Sequence, residues 1–293
     1  MPILLDLLPH EVWTARSEAH AQRVDALTAG ARARRAAGQR HPVEDFLYEY
    51  YNTRPSALRR WHPGPHVALT GPAPHADWRW YATDGGTVRL DVQAFLADRG
   101  DTVRFVQGLL AATAQRPAFT GCFGLHEWAM VYRADEHRHT VPLRLGQAGT
   151  DAVVEAHPVR CTHFDAFRFF TPAAVGLNRV QPTRATQPAL EQPGCLHATM
   201  DLYKWALKLS PATPAELVAD CFELAADVRT LDMRASPYDL RDRGYEPVAI
   251  ETPEGKAEYV AAQRGFAERG AVLRSRLLDV CDALSDPGRT VVR

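Results

Sequence analysis

Three short stretches of the sequence place a histidine beside a carboxylate in apolar surroundings. They are His126–Glu127, His163–Phe164–Asp165 and the pair His197 and Asp201. Imidazole and carboxylate groups can transfer protons or bind metal ions. We therefore expect the functional site to lie where the three stretches meet.

The stretch after Cys195 predicts a helix whose polar residues form one narrow stripe. The stripe comprises His197, Asp201, Lys204 and Lys208, at positions i, i+4, i+7 and i+11. Most other positions are apolar or aromatic, which is typical of a largely buried helix. Either the stripe faces solvent, or His197 and Asp201 lie in an internal pocket with Lys204 as a positive partner.

The run VRCTHF predicts a strand, on which His163 and Asp165 would project to one face. A distant histidine, either His197 or His126, would complete a two-histidine, one-carboxylate site suited to Fe(II). Three histidines with a water would suit Zn(II). The alternative is a structural His163, hydrogen bonded within an aromatic core. The candidate metal ligands are therefore His126, His163, Asp165 and His197.

Glu127 follows two glycines and lies inside an apolar run. Burial would favour its neutral form, which suits a general acid or base, with His126 and Asp165 as further catalytic candidates. Alternatively, Glu127 pairs with an arginine such as Arg168 and stabilises the core.

Several signatures of other chemistries are absent from the sequence. The chain has no C-x-x-C, H-E-x-x-H, G-x-x-x-x-G-K-[ST], G-x-G-x-x-G or G-x-S-x-G. Nucleoside triphosphate, dinucleotide and α/β-hydrolase chemistry are accordingly disfavoured. The five cysteines lie in apolar segments and are expected to be buried, unreactive thiols.

Composition limits the location and the partners of the protein. The 293 residues are 46% apolar, with 34 Lys and Arg against 35 Asp and Glu. Contact with DNA would therefore need a local basic patch. No apolar run approaches the roughly 20 residues that span a bilayer, and the N-terminus lacks the features of a signal peptide. We expect a cytoplasmic protein without a membrane partner.

The element pattern predicts a mainly α-helical α+β fold with a small central antiparallel or mixed sheet. We expect a single domain, 1–293, with an N-terminal helical segment (1–60), a mixed part (62–170) and a helical part (195–286). The predicted helices span 11–40, a short aromatic segment after Pro42, 101–114, the apolar stripe at 217–231, and a long stretch opened by Thr252. Asp84–Gly85–Gly86 predicts a hairpin, and VPLRL a strand.

Charged residues recur beside these elements. The Ala/Arg segment ARARRAAGQR favours a solvated helix end, with phosphate contact as the alternative. Asp220, Glu223 and Asp227 predict a solvated helix flank. The turn-rich stretch LDMRASPYDLRD carries polar side chains that could cap, pair or bind.

Most of the chain resembles one bacterial family, commonly named 3-methyladenine DNA glycosylase. The resemblance is carried by these stretches: HPVEDFLYEYYNTRPSALRRWHPG, GCFGLHEWAMVYR, CTHFDAFRFFTP, EQPGCLHATMDLYKWALKL, ELVADCFELAADVRTLDMRASPYDL and ETPEGKAEYVAAQRGFAERGA. The chain lacks the helix-hairpin-helix turn, HEAT-like repeats and Cys/His spacing of other alkylpurine glycosylases.

The resemblance implies excision of alkylated purines from DNA, with the extruded base stacked on aromatic side chains. Glu127, Asp165 or Asp45 would then be the carboxylate that activates water or stabilises the sugar cation. The candidate substrate-binding residues are Tyr48, Tyr51, Arg54, Trp61, Arg168, Arg234 and Tyr238. The candidate catalytic residues are Glu127, Asp165, His126, Asp201 and Lys204.

Two other classes of function remain open. One is a metal-dependent oxygenase or hydrolase, holding non-haem iron or zinc and acting on a small molecule. The other is a non-catalytic binding protein that uses the aromatic segment from Phe46 to Tyr51 as its recognition surface.

Overall fold

The computed structural model describes residues 5–136 and 140–285. Four strands are present in this part of the chain: β1 (Asp6–Leu8), β2 (Val67–Thr70), β3 (Tyr81–Asp84) and β4 (Thr87–Leu90). The helices of the N-terminal half are α1 (His10–Ala36), α2 (Phe46–Tyr50), α3 (Pro55–Leu58), α4 (Val92–Ala114), α5 (Leu125–Ala129) and α6 (Gly146–Ala156). Those of the C-terminal half are α7 (Phe164–Phe167), α8 (Pro172–Val175), α9 (Gln187–Leu190), α10 (Leu196–Leu209), α11 (Ala215–Arg234) and α12 (Pro253–Ser285). The expectation of a mainly helical α+β fold is confirmed.

The strands form one mixed sheet in the order β1-β2-β4-β3. β1 runs parallel to β2, and the other two pairings are antiparallel. The predicted hairpin is confirmed, because Asp84 pairs with Thr87 across Gly85 and Gly86. Both glycines have positive φ, 55° and 78°, the backbone region that a two-residue turn of this kind requires. A small apolar cluster that includes Trp13, Trp61 and Leu69 joins the sheet to α1.

Helices α4, α10, α11 and α12 pack against one another and form the main core. α10 is central: 11 of its 14 residues are buried. The largest hydrophobic cluster extends from Val24 to Leu284 and takes residues from each of the three predicted segments. Any polar side chain on the inner face of α10 is therefore removed from bulk water.

The start of α12 follows the predicted cap. Thr252 Oγ1 accepts a hydrogen bond from the backbone N–H of Gly255 at 3.1 Å, and Pro253 is the first helical residue. A proline at this position loses no helical hydrogen bond, because the first N–H groups of a helix have no partner within the helix.

Two strand predictions are wrong. The run VPLRL contributes only an isolated bridge, between Leu143 and Tyr238. The segment before α7 is not a strand, because Asn178 satisfies its backbone instead. The Asn178 side chain accepts from the N–H of Cys161 at 2.7 Å and donates to the carbonyl of Cys161 at 2.9 Å.

The helix bounds near the N-terminus also differ from expectation. α1 ends at Ala36 rather than Arg40, and α4 begins at Val92 rather than Asp101. The aromatic helix starts only at Phe46, because Asp45 accepts from the N–H of His41 in a turn before the helix. Arg34, from the predicted basic segment, pairs with this Asp45 at 2.6 Å.

The acidic row on α11 is partly solvated, with Asp227 exposed, and it is also ion paired. Asp220 and Glu223 both pair with Arg23 of α1 at 2.8 Å, and Asp227 pairs with Arg269 of α12 at 2.8 Å. These ion pairs connect α11 to the helices on either side. Among the described residues, no helix combines the length and apolarity needed to cross a membrane.

Candidate functional site

The three histidine-bearing stretches meet inside the helical core. His126 lies on α5, His163 directly precedes α7, and His197 lies in the first turn of α10. The ring centroids of His126 and His197 are 4.4 Å apart, and those of His163 and His197 are 5.4 Å apart. All three rings are buried, so the fold gathers them away from solvent.

Four buried residues form a group that we name the His126 cluster: His126, Glu127, His197 and Asp232. One nitrogen or oxygen atom from each lies within 4.8 Å of the others. Nε2 of His126 is 2.9 Å from Oδ1 of Asp232. Two imidazoles and two carboxylates this close together form a candidate ligand set for one metal ion.

Arg229 compensates the carboxylates of the His126 cluster. Its Nη1 lies 3.2 Å from Oε1 of Glu127 and 3.4 Å from Oδ2 of Asp232. Burial opposes ionisation of Asp232, but the positive charges of His126 and Arg229 outweigh it and lower the pKa of Asp232. Burial also opposes protonation of His126, and Asp232 outweighs it and raises the pKa of His126. Asp232 therefore holds a proton on His126, which a metal ion would displace.

The pKa of His197 is shifted in the opposite direction to that of His126. Burial, reinforced by His126 and His163, lowers the pKa of His197 well below its usual value. No residue of the described ranges 5–136 and 140–285 makes a hydrogen bond to its ring. A neutral imidazole with a free lone pair can bind a metal ion or accept a proton.

A second group, which we name the His163 cluster, lies beside the first and comprises His163, Glu191 and Asp201. Nε2 of His163 is 3.3 Å from Oε1 of Glu191 and 3.3 Å from Oδ2 of Asp201. Burial disfavours a protonated His163, while Asp201 and Glu191 outweigh it and raise its pKa. Burial raises the pKa of Glu191.

Lys204 connects the His163 cluster to α7. Its Nζ lies 2.7 Å from Oδ2 of Asp165 and 2.9 Å from Oδ2 of Asp201. Burial opposes the charge on Lys204, but Asp201 and Asp165 outweigh it and raise the pKa. His197 and Asp201 are buried and Lys204 is the positive partner of Asp201, whereas Lys208 is exposed.

A narrow pocket reaches the His126 cluster through Glu127 and His197. Its apolar lining comprises Phe46, Tyr50, Met130, Ala166 and Phe169, and its polar lining comprises Glu127, Asp165, His197 and Arg229. Phe46 and Tyr50 stack with their ring centroids 5.0 Å apart. The same two rings also line an outer cleft of about 440 Å³. They therefore form the wall between the outer cleft and the buried groups.

Two predicted partnerships are corrected by the structure. His163 and Asp165 do not share a strand face, because Asp165 lies in the first turn of α7 and His163 precedes it. Asp165 pairs with Lys204 and also with Arg184 at 3.1 Å, and it belongs to neither cluster. Glu127 pairs with Arg229 rather than with Arg168, whose Nε is 3.5 Å from Asp165.

The candidate substrate-binding residues are dispersed. Tyr51 is at the site, where its hydroxyl donates to Oδ1 of Asp201 at 2.8 Å. Like Tyr51 and Arg168, five others lie outside the pocket lining: Tyr48 against Phe222, exposed Arg54 before α3, Trp61 and Tyr238 buried in separate clusters, and Arg234 paired with Glu258. Burial of Trp61 and Tyr238 in other clusters removes their rings from this pocket.

Glu191 and Arg229 were not predicted to belong to the site, and Asp232 was predicted only as part of a turn-rich stretch whose polar side chains could cap, pair or bind. Glu191 lies in a proline-punctuated connection and carries no local signal. Arg229 and Asp232 are three residues apart on α11, and this spacing is a signal of an i, i+3 ion pair. Only the packing of α11 against α5 shows that this pair belongs to the site.

The cysteines behave as expected for buried thiols. All five are free, and Cys161, Cys195, Cys221 and Cys281 are buried. Burial raises the pKa of the Cys161 and Cys281 thiols to about 12, which disfavours the reactive thiolate.

No family model, no curated protein and no solved structure matches the chain. The class of the protein is therefore inferred from its site.

Proposed function

We propose that this protein is a metal-dependent enzyme whose His126 cluster holds a catalytic Fe(II) or Zn(II) ion. One observation carries the proposal: the donor atoms of His126, Glu127, His197 and Asp232 lie within 4.8 Å of one another in a buried site. The four residues come from three helices, α5, α10 and α11, so the tertiary fold assembles the donor set.

The chemistry of the donors favours these metals. Two imidazoles and two carboxylates are ligands that Fe(II) and Zn(II) accept. A bound ion would supply Lewis acidity, and Fe(II) would also supply redox chemistry. Neutral His197 is ready to bind, whereas His126 must first release a proton.

Arg229 would then orient the metal ligands without binding the metal itself. Its guanidinium contacts both carboxylates, and its central carbon lies 3.8 Å from the ring centroid of Phe46. Groups that hydrogen bond to ligating carboxylates fix the orientation of those ligands. Arg229 therefore links the proposed metal ligands to the aromatic wall of the pocket.

The shape of the site favours a small-molecule substrate. The inner pocket offers about 10 Å³, which is about the space for one water, whereas the outer cleft offers about 440 Å³. Arg40, His41 and Arg243 line that outer cleft together with Glu49. We assign the substrate to the outer cleft, from which a reacting group would pass Phe46 and Tyr50.

Metal binding tests the first part of this proposal. The wild type and the variants are dialysed against Zn(II), or against Fe(II) without oxygen, and their bound metal is measured. His126→Ala and His197→Ala should each bind one ion per chain fewer than the wild type. The control is His10→Ala, on the exposed side of α1, which should bind as much metal as the wild type. Unchanged metal content in both folded cluster variants would overturn the metal centre.

Conversion of a substrate tests the second part. The metal-loaded protein should consume a component of a small-molecule extract, followed by mass spectrometry, and His197→Ala should not. Excision of alkylated bases stays a prediction of the resemblance. Release of free base from methylated DNA by the metal-free protein, abolished in Glu127→Gln, would establish base excision in place of the metal-dependent reaction.

A further inference from the structure

The His163 cluster has no part in the metal site proposed above, yet its atoms have the spacing of metal ligands. Nε2 of His163 is 3.3 Å from one oxygen of Glu191 and 3.3 Å from one oxygen of Asp201. Two donors on a tetrahedral ion with bonds of about 2.1 Å are about 3.4 Å apart. All three residues are buried, with exposed fractions of 0%, 2% and 0%.

The polar contacts of the His163 ring are with the two carboxylates, through Nε2. Within the described residues, neither ring nitrogen has a hydrogen-bond partner. A buried polar atom without a partner costs about 1–3 kcal/mol. Each of the two carboxylates has one oxygen 3.3 Å from Nε2. A cation between the three groups would satisfy Nε2 and both carboxylates together.

The surroundings hold the two carboxylates in place. The Tyr51 hydroxyl donates to Oδ1 of Asp201 at 2.8 Å, and Gln187 donates to Oε1 of Glu191 at 2.5 Å. Lys204 donates to Oδ2 of Asp201 and is balanced by Asp165. Such outer hydrogen bonds orient metal ligands. Two carboxylates and one imidazole are a donor set that a divalent cation accepts.

We propose that the His163 cluster binds a second divalent cation, with His163, Glu191 and Asp201 as its ligands. Binding at this cluster stands on its own geometry. The assignment of both ions to one two-metal active centre rests on the proposed function. His197 contacts the rings of both His126 and His163, so the two ions would lie next to each other. Neighbouring ions can stabilise the attacking and the leaving oxygen of one reaction.

The number of bound ions tests the second site. Zn(II) is used as the probe, in equilibrium dialysis followed by elemental analysis of the full chain. The wild type should bind two ions, Glu191→Gln one, and His197→Ala one. Glu191→Gln keeps the size of the side chain and removes its charge. Glu268→Gln, an exposed carboxylate on α12, is the matched control and should bind two ions.

The outcomes separate the two proposals. One ion that is lost in His197→Ala and kept in Glu191→Gln overturns the second site and leaves the proposed function standing. One ion that is lost in Glu191→Gln and kept in His197→Ala supports the second site and overturns the first. A chain that binds no Zn(II) overturns both. Circular dichroism verifies folding, and His163→Asn replaces Glu191→Gln if that variant unfolds.

Discussion

Nζ of Lys204 lies 2.7 Å from Oδ2 of Asp165, a residue 39 positions earlier in the chain. The same ammonium lies 2.9 Å from Oδ2 of Asp201. One cation therefore joins α7 to α10 and neutralises carboxylates that burial would otherwise penalise. Because Asp201 is fully buried, its charge depends on this contact.

Replacing Lys204 with methionine should lower the free energy of unfolding by about 1–3 kcal/mol, because buried Asp201 loses its ammonium partner but keeps the Tyr51 hydrogen bond. The matched control is Lys208→Met on the same helix, where the side chain is exposed. That change should stay within about 0.5 kcal/mol. Urea unfolding monitored by circular dichroism measures both, and equal stabilities would show that Lys204 is dispensable.

Replacing Phe46 with alanine should open the wall between the outer cleft and the His126 cluster. The change removes the ring that stacks on Tyr50 and lies under Arg229. A chelator should then remove bound Zn(II) faster than from the wild type, about tenfold or more, because access no longer requires movement of this ring. Stopped-flow mixing with a coloured chelator measures the rate.

Phe105→Ala provides the comparison, because Phe105 is 39% exposed. Its rate of metal release should equal that of the wild type. A Phe46→Ala variant that releases metal no faster would place the entry path elsewhere.

Two glycines of α12 should respond oppositely to alanine. A Cβ at Gly255 would lie 2.0 Å from the carbonyl oxygen of Ala249, so the backbone would have to shift and stability should fall by more than about 2 kcal/mol. A Cβ at Gly265 meets nothing within 4 Å. Gly265→Ala should therefore raise the free energy of unfolding by about 0.4–1 kcal/mol.

Thermal unfolding of the two variants compares them directly. A Gly255→Ala protein as stable as the wild type would mean that the loop before α12 adapts without loss.

His62 should make stability depend on pH. Burial, with His75 and Arg60, lowers the pKa of His62 from its usual 6.5 to about 3. The unfolded chain therefore binds a proton at a pH where the folded chain does not. The contribution of neutral His62 to the free energy of unfolding is therefore fully present above about pH 6.5. It is lost progressively as the pH falls toward 3.

The variant His62→Gln should consequently lose less stability than the wild type between pH 6.5 and 4. Urea unfolding across this range measures the difference, and His10→Gln serves as the control at an exposed position. Parallel curves for the wild type and His62→Gln would contradict the assignment.

The local sequence pattern correctly predicted the elements that are specified by their own side chains. The apolar periodicity of α10, α11 and α12 predicted the core helices, because a helix buries one face at a fixed spacing. The Asp84–Gly86 turn was predictable because its glycines supply the positive φ that the turn requires. The pattern failed before α7, where the side chain of Asn178 replaces a neighbouring strand.

The histidines of the site were recognisable from the sequence, but their partners were decided by the tertiary structure. Asp232 reaches His126 across 106 positions, and Arg229 reaches Glu127 across 102. Ion pairs between distant residues leave no periodic trace, because they depend on how helices pack and not on spacing along one of them. The sequence by itself therefore determined which groups could do chemistry, and the packing of α5, α7, α10 and α11 determined which of them meet.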